Sequence, residues 1–139
     1  MEFAESRRYR ILLVDDDARA LESLGAALAD DLDVSVASSP GRALELFERD
    51  SFEVVCSDYQ MSGMNGLDLL HAVTRRSPHV GCVLITGSPD YMSARAQDSH
   101  YVFVKPLDPS RLIRMVLQLA RVCRMKRAFA VPDARRAAY

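Results

Sequence analysis

No stretch of this 139-residue chain approaches the roughly 18–20 consecutive apolar residues that a membrane-spanning helix needs. The charged start, Met1-Glu2-Phe3-Ala4-Glu5-Ser6-Arg7-Arg8, is not followed by a long apolar segment. No signal peptide is therefore expected, and the expected compartment is the cytoplasm. Cysteine is scarce and odd in number: Cys56, Cys82 and Cys123 are scattered, each within an apolar run. None has metal-ligand spacing, so all three are expected to be buried small hydrophobes. Net charge is only −1, which gives no reason to expect nucleic acid or a membrane surface as an obligatory partner. Internal repeats are also lacking. What is present is ordinary for a soluble globular chain: 49% hydrophobic and 27% charged residues, enough for one domain with a proper core.

The apolar runs alternate between two periods. Arg10-Ile11-Leu12-Leu13-Val14 is a continuous apolar strand that ends on Asp15-Asp16-Asp17. Helix-period residues Leu21, Leu24 and Leu28 follow, with Asp17 placed as a cap or first-turn acid. Leu32 to Ala37 alternates as an edge strand does, and Ser39-Pro40 opens a second helix with Ala43, Leu44 and Phe47 inward. Val54-Val55-Cys56-Ser57-Asp58 is a buried strand ending on a carboxylate, with turn chemistry from Tyr59 to Gly66 after it. A third helix is expected over Gly66–Ser77, stopped by Pro78. A fourth strand, Val80–Ile85, ends on Thr86-Gly87. Ser88–Ser99 is weakly apolar and predicts a short helix. Tyr101–Val104 is a fifth strand ending on Lys105-Pro106. Asp108 and Pro109 open a last helix whose inward face is Leu112, Ile113, Val116, Leu119, Ala120 and Cys123. Arg111, Arg114, Gln118, Arg121 and Met125 fall on its opposite face, which reads as solvated, with a dimer or partner surface as the alternative. Lys126 onward reads as a frayed tail. The expected organisation is an extension over 1–9, one domain over 10–124, and a tail or linker start over 125–139.

Five apolar strands alternating with helices predict an α/β fold, a parallel sheet covered on both faces. In such sheets ligands bind outside the carboxyl ends of the strands. Four of the five strands here end in a functional group: Asp15 and Asp16, Asp58, Thr86, and Lys105. Carboxylates brought close together repel, so a hard cation is needed to keep them ionised. The acids are too few for a calcium cage, whereas Mg2+ retains waters and shares its shell with phosphate. Lysine offers a compact cation to a phosphoryl oxygen, and threonine offers a hydroxyl donor. A carboxylate nucleophile, a metal, a cation and a hydroxyl donor make a phosphoryl-transfer site whose product is an aspartyl phosphate.

From Arg10 to Cys123 the chain resembles the receiver domains of bacterial two-component response regulators. The motifs are Val14-Asp15-Asp16, the run from Asp58 through Met61, Gly63 and Met64 to Asn65-Gly66, Leu84-Ile85-Thr86-Gly87, and Lys105-Pro106. The resemblance implies a flavodoxin-like, doubly wound sheet in the order 2-1-3-4-5. It implies that Asp58 takes phosphate from a phosphohistidine on a sensor histidine kinase or phosphotransfer protein. Asp16, Asp58 and the Gln60 backbone carbonyl would hold Mg2+, with Asp15 acting through bound water. Thr86 and Lys105 would contact the phosphoryl group, and the Lys105-Pro106 peptide would be cis. The output partner is unnamed, a homodimer is among the alternatives, and neither membrane nor direct nucleic-acid contact is implied.

Three departures stand out. Ser62 sits where the family usually has proline. Val102 sits where it has an aromatic switch residue, flanked by Tyr101 and Phe103. The segment from Thr86 to Lys105 is about three residues shorter than is usual. Two rival functions remain. One is a haloacid-dehalogenase-like phosphohydrolase with Asp15 as nucleophile and Asp17 as general acid, although no late strand ends in a second acidic pair. The other is a degenerate receiver that serves only as a docking module.

Overall fold

Because side chains alternate along an extended chain, each central strand must satisfy two faces at once. The computed structural model describes residues 8–87 and 101–130. Its elements are β1 (Arg10–Val14), α1 (Ala18–Leu28), β2 (Asp33–Ala37), α2 (Pro40–Arg49), β3 (Val54–Asp58), α3 (Gly66–Arg76), β4 (Gly81–Thr86), β5 (Tyr101–Val104) and α4 (Pro109–Ala128). All pairings are parallel, in the order β2-β1-β3-β4-β5. The expected doubly wound sheet is therefore present. Leu12, Val14, Val55, Cys82 and Leu84 face one core, which α2 and α3 close with Ala43, Leu67, Leu70 and Val73. Ile11, Leu13, Val54, Cys56, Val83 and Ile85 face the other, which α1 and α4 close with Leu21, Leu28, Leu112, Val116 and Ala120. All three cysteines are buried and free, as their apolar neighbours imply.

Local signals set the helix starts. The Asp17 carboxylate accepts from the N–H groups of Arg19 and Ala20 and caps α1. Ser39 caps α2 ahead of Pro40, Asn65 caps α3, and Asp108 caps α4 ahead of Pro109. The sheet edges are wetter than its centre. Val36 on β2 is half exposed because the nearby α1 residue is Gly25, which has no side chain to cover it. The last helix runs through Ala128, so Lys126, Arg127 and Ala128 are helical and the frayed tail does not begin at Lys126. Long-range anchors extend it: Arg127 Nη2 donates to the Phe52 carbonyl at 2.8 Å, and Arg124 pairs with the buried Glu53 at 3.4 Å. The helix expected over Ser88–Ser99, the first seven residues of the extension, and the tail from residue 131 lie outside the described residues.

One glycine couples helix packing to the sheet edge. Gly66 starts α3 directly beneath β3, and its N–H donates to the Tyr59 carbonyl at 2.8 Å. A methyl group there would strike the Asp58 carbonyl oxygen and come within 2.9 Å of Leu84 Cδ1. Gly66→Ala is expected to destabilise the fold by about 1–3 kcal/mol through overpacking, read from urea unfolding. An unchanged midpoint would show that α3 can move away freely.

Candidate functional site

The sheet register aligns the strand ends. Val14 pairs with Ser57, Asp58 with Ile85, and Thr86 with Val104. The residues just at or past those positions are therefore neighbours in space. Backbone bonds hold the ladder open toward them: the Asp15 N–H donates to the Ala37 carbonyl, Tyr59 to Ile85, and Lys105 to Thr86. Asp58 is 7% exposed and Thr86 is buried, while the Lys105 side chain is 44% exposed. The Lys105-Pro106 peptide is cis, and Lys105 Nζ lies 2.7 Å from Asp58 Oδ1.

Asp15, Asp16 and Asp58 each offer a carboxylate oxygen within 4.8 Å of the others. Burial pushes the Asp15 carboxyl above its usual range, and the charges of Asp58 and Asp16 push the same way, against a bond from the Asp17 N–H and the Lys105 charge. For Lys105, burial works against the charge. The hydrogen bond to Asp58 and the charges of Asp58, Asp15 and Asp17 outweigh it and hold the ammonium above its ordinary value. Three oxygen donors under mutual repulsion fit a small, hard divalent cation, which would relieve that repulsion. Gln60 follows in the exposed β3–α3 loop, two residues past Asp58, and Gly63 turns that loop at φ +83°.

Ser62 contributes a feature that residue types alone do not announce. Its backbone N–H donates to Asp16 Oδ2 at 3.3 Å. A proline at that position has no N–H to give. The loop is thus tied to the acidic edge by a donor that exists because residue 62 is not proline. Ser57 is a second such case: its buried hydroxyl donates to the Asp58 carbonyl at 2.9 Å. Asp17 does not join the acid cluster but caps α1, so the general acid required by the phosphohydrolase alternative is already engaged by backbone donors. Val102 packs against the first core and Phe103 against the second, while Tyr101 is half exposed. A cavity of about 640 Å³ opens beside the cluster, lined by Asp15, Asp58 and Lys105 at one end and by Leu21, Leu24 and Leu107 along α1 and the β5–α4 loop.

Comparison with known proteins points one way. The family model described as "Response regulator receiver domain" matches residues 11–117. The chain is 33% identical over 119 residues to the alginate biosynthesis transcriptional regulatory protein AlgB of Pseudomonas aeruginosa, covering 81% of this chain and 26% of that protein. It is 31% identical over 110 residues to the transcriptional regulatory protein GlrR of Escherichia coli, covering 76% of this chain and 25% of that one. The chain thus spans about a quarter of the length of these curated relatives. Among solved structures, the signal receiver domain of an HD domain-containing protein from Pseudomonas fluorescens superposes with a TM-score of 0.81 at 25% identity, covering 93% of this chain and 98% of that one.

The raised Asp15 carboxyl has a consequence for stability. Its ionised form is disfavoured in the fold, so its contribution falls as pH rises from the ordinary aspartate value through the raised one. Asp15→Asn is therefore expected to raise the urea midpoint at pH 7 in EDTA, and to lose that advantage below about pH 3, where the carboxyl is protonated in both states. A variant less stable than the parent at pH 7 would contradict the electrostatic account.

Proposed function

Because the chain belongs to the response regulator receiver domain family, we propose that it is a phosphorylation-dependent switch in two-component signalling, with Asp58 as the phosphoacceptor. The observation that carries the proposal is the convergence of Asp58, Lys105 and the acids Asp15 and Asp16 at adjoining strand ends. The phosphodonor is a phosphohistidine of a sensor histidine kinase or phosphotransfer protein. An Asp58 carboxylate oxygen attacks phosphorus, the P–N bond breaks, and the imidazole leaves with its electron pair. The cavity along α1 supports this assignment, since Asp58 lies in its wall together with Leu21, Leu24 and Leu107.

Asp16, Asp58 and the Gln60 carbonyl would hold Mg2+, and Asp15 would reach it through water. The ion would supply charge neutralisation on the transferring oxygens. Lys105 exchanges its contact with Asp58 for the phosphoryl oxygens, and the Thr86 hydroxyl donates to another. The group adds about −1.5 to −2 charge beside these two residues, which biases the loops after β3 and β4 toward one of two populated arrangements. The chain signals rather than turning over a diffusing substrate. Its relatives are transcriptional regulators several times longer, so output would lie in a further domain or a separate partner, and DNA contact would belong there. Work alongside a kinase would place it in the cytoplasm; no helix among the described residues is long and apolar enough to cross a membrane.

Asp58→Asn is expected to abolish phosphate uptake from acetyl phosphate with Mg2+, read as the loss of the retarded band in Phos-tag electrophoresis. Equal labelling of mutant and parent would remove Asp58 from its role. Lys105→Ala is expected to leave Mg2+ binding intact or tighter, since the ammonium is not a metal ligand but pairs with one. It should nevertheless erase most phosphate-induced NMR shifts outside the site. Identical shifts in variant and parent would show that Lys105 does not couple charge to conformation.

A further inference from the structure

The three acids at the sheet edge each receive a donor, and the donors differ in reach. Asp15 takes the N–H of Asp17, two residues away. Asp58 takes the Lys105 ammonium. Asp16 takes the Ser62 N–H, from a segment 46 residues along the chain. That last bond joins the turn after β1 to the loop after β3. Gln60, whose carbonyl completes the ligand set proposed above, lies in the same loop two residues before Ser62. The loop can present the Ser62 N–H because it is braced elsewhere. Met61 packs against the first core, the Gly66 N–H closes on the Tyr59 carbonyl at 2.8 Å, and Gly63 turns the chain at φ +83°. Asp16 is the acid with most need of a hold. It is exposed, whereas Asp15 is half-buried and Asp58 buried, so its side chain has the most freedom to lose when a ligand fixes it.

We propose, resting on the Mg2+ ligand set put forward above, that Ser62 is a positioning residue for the divalent ion. Its backbone N–H fixes the Asp16 carboxylate and the loop that carries Gln60 relative to one another before the ion binds. A carboxylate has two oxygens and about four lone-pair sites, so one N–H on Oδ2 leaves room for a metal on the same group. A donor on a ligating carboxylate orients it and lowers the ordering cost of binding. The N–H and the ion are therefore partners on Asp16 rather than competitors for it. The proline usual in the family at this position stiffens the loop by its ring and offers no N–H. In this chain a charge-assisted hydrogen bond supplies the restraint instead, and it does so between the two segments that carry the ligands. The coupling is reciprocal, so the ion in turn steadies the loop. The Ser62 hydroxyl plays no part in it, and alanine at this position keeps the same donor.

The test titrates the full chain with MgCl2 alone and follows amide NMR shifts. Donors around metal ligands are typically worth about ten- to hundred-fold in affinity. A bond of 3.3 Å on an exposed acid stands at the weak end, so Ser62→Pro should weaken Mg2+ binding by roughly three- to ten-fold. Ser62→Ala, which keeps the N–H, should match the parent. Hydrogen exchange at the Ser62 amide of the parent should slow several-fold when Mg2+ is added. Urea unfolding in EDTA shows whether Ser62→Pro stays folded, and the exchange measurement needs no variant. Three results would overturn the proposal: Ser62→Pro binding Mg2+ as tightly as the parent or tighter, Ser62→Ala weakened as much as Ser62→Pro, or exchange at Ser62 that fails to slow, as it would if the ion displaced the N–H. A parent that does not respond to Mg2+, or responds equally after Asp58→Asn, would overturn the ligand set itself and this proposal with it.

Discussion

Like-charge repulsion at one edge of the sheet is the constraint that the rest of the site answers. Asp15, Asp16 and Asp58 bring their oxygens within 4.8 Å of one another, two of them partly or fully shielded from water. At an effective dielectric of about 20, such neighbours repel by a few kcal/mol, less where Asp16 reaches solvent. The fold does not relax this by moving the strands apart, because their register is fixed by apolar residues on both faces. It answers with the Lys105 ammonium on Asp58, the Asp17 N–H on Asp15 and the Ser62 N–H on Asp16. The chain's own donors thus neutralise the cluster only in part and leave it short of positive charge, which is the condition a divalent ion and a mobile phosphoryl group can exploit.

The sheet, the helix caps and the strand-end residues were legible in the sequence because each depends on local pattern. Continuous apolar runs mark strands buried on both faces, and Ser39-Pro40 and Asp108-Pro109 mark helix starts by chemistry within one turn. Once a parallel α/β sheet is inferred, Asp15, Asp58, Thr86 and Lys105 must share one edge. Less legible were contacts set by the path of a loop or by distant partners. The Ser62 N–H meets Asp16 across 46 residues, and no property of the serine side chain signals it. Arg124 meets Glu53 across 71 residues and Arg127 meets the Phe52 carbonyl across 75, so the stretch from Lys126 reads as a frayed tail although its anchors lie at the far end of β3. Val36 faces water because of a glycine on another element.

The departures from the family pattern bear on how a charge change would spread. Val102 occupies the first core beside Leu84, its partner in register, so no aromatic side chain stands there to rotate inward. Phe103 points into the second core with α1 and α4. The link that does join the β4 end to Lys105 is a backbone one, the Lys105 N–H on the Thr86 carbonyl.

That backbone route has a natural limit. β3 is buried along its whole length, with an acid beside each end: Asp58 closes it, and Glu53 precedes it. Both acids are met by cations from the segment that follows β4. Lys105 takes Asp58, and Arg124 and Arg127 take Glu53. The two clamps differ in what could disturb them. A phosphoryl group on Asp58 would compete directly for Lys105, whereas nothing in that chemistry reaches Glu53, whose carboxylate also accepts the Arg10 N–H at 2.6 Å. A buried charge left without its partner is costly, so the far clamp resists opening. Rearrangement on phosphorylation would then stay at the phosphoacceptor end of the sheet, while the far end of α4 keeps its place.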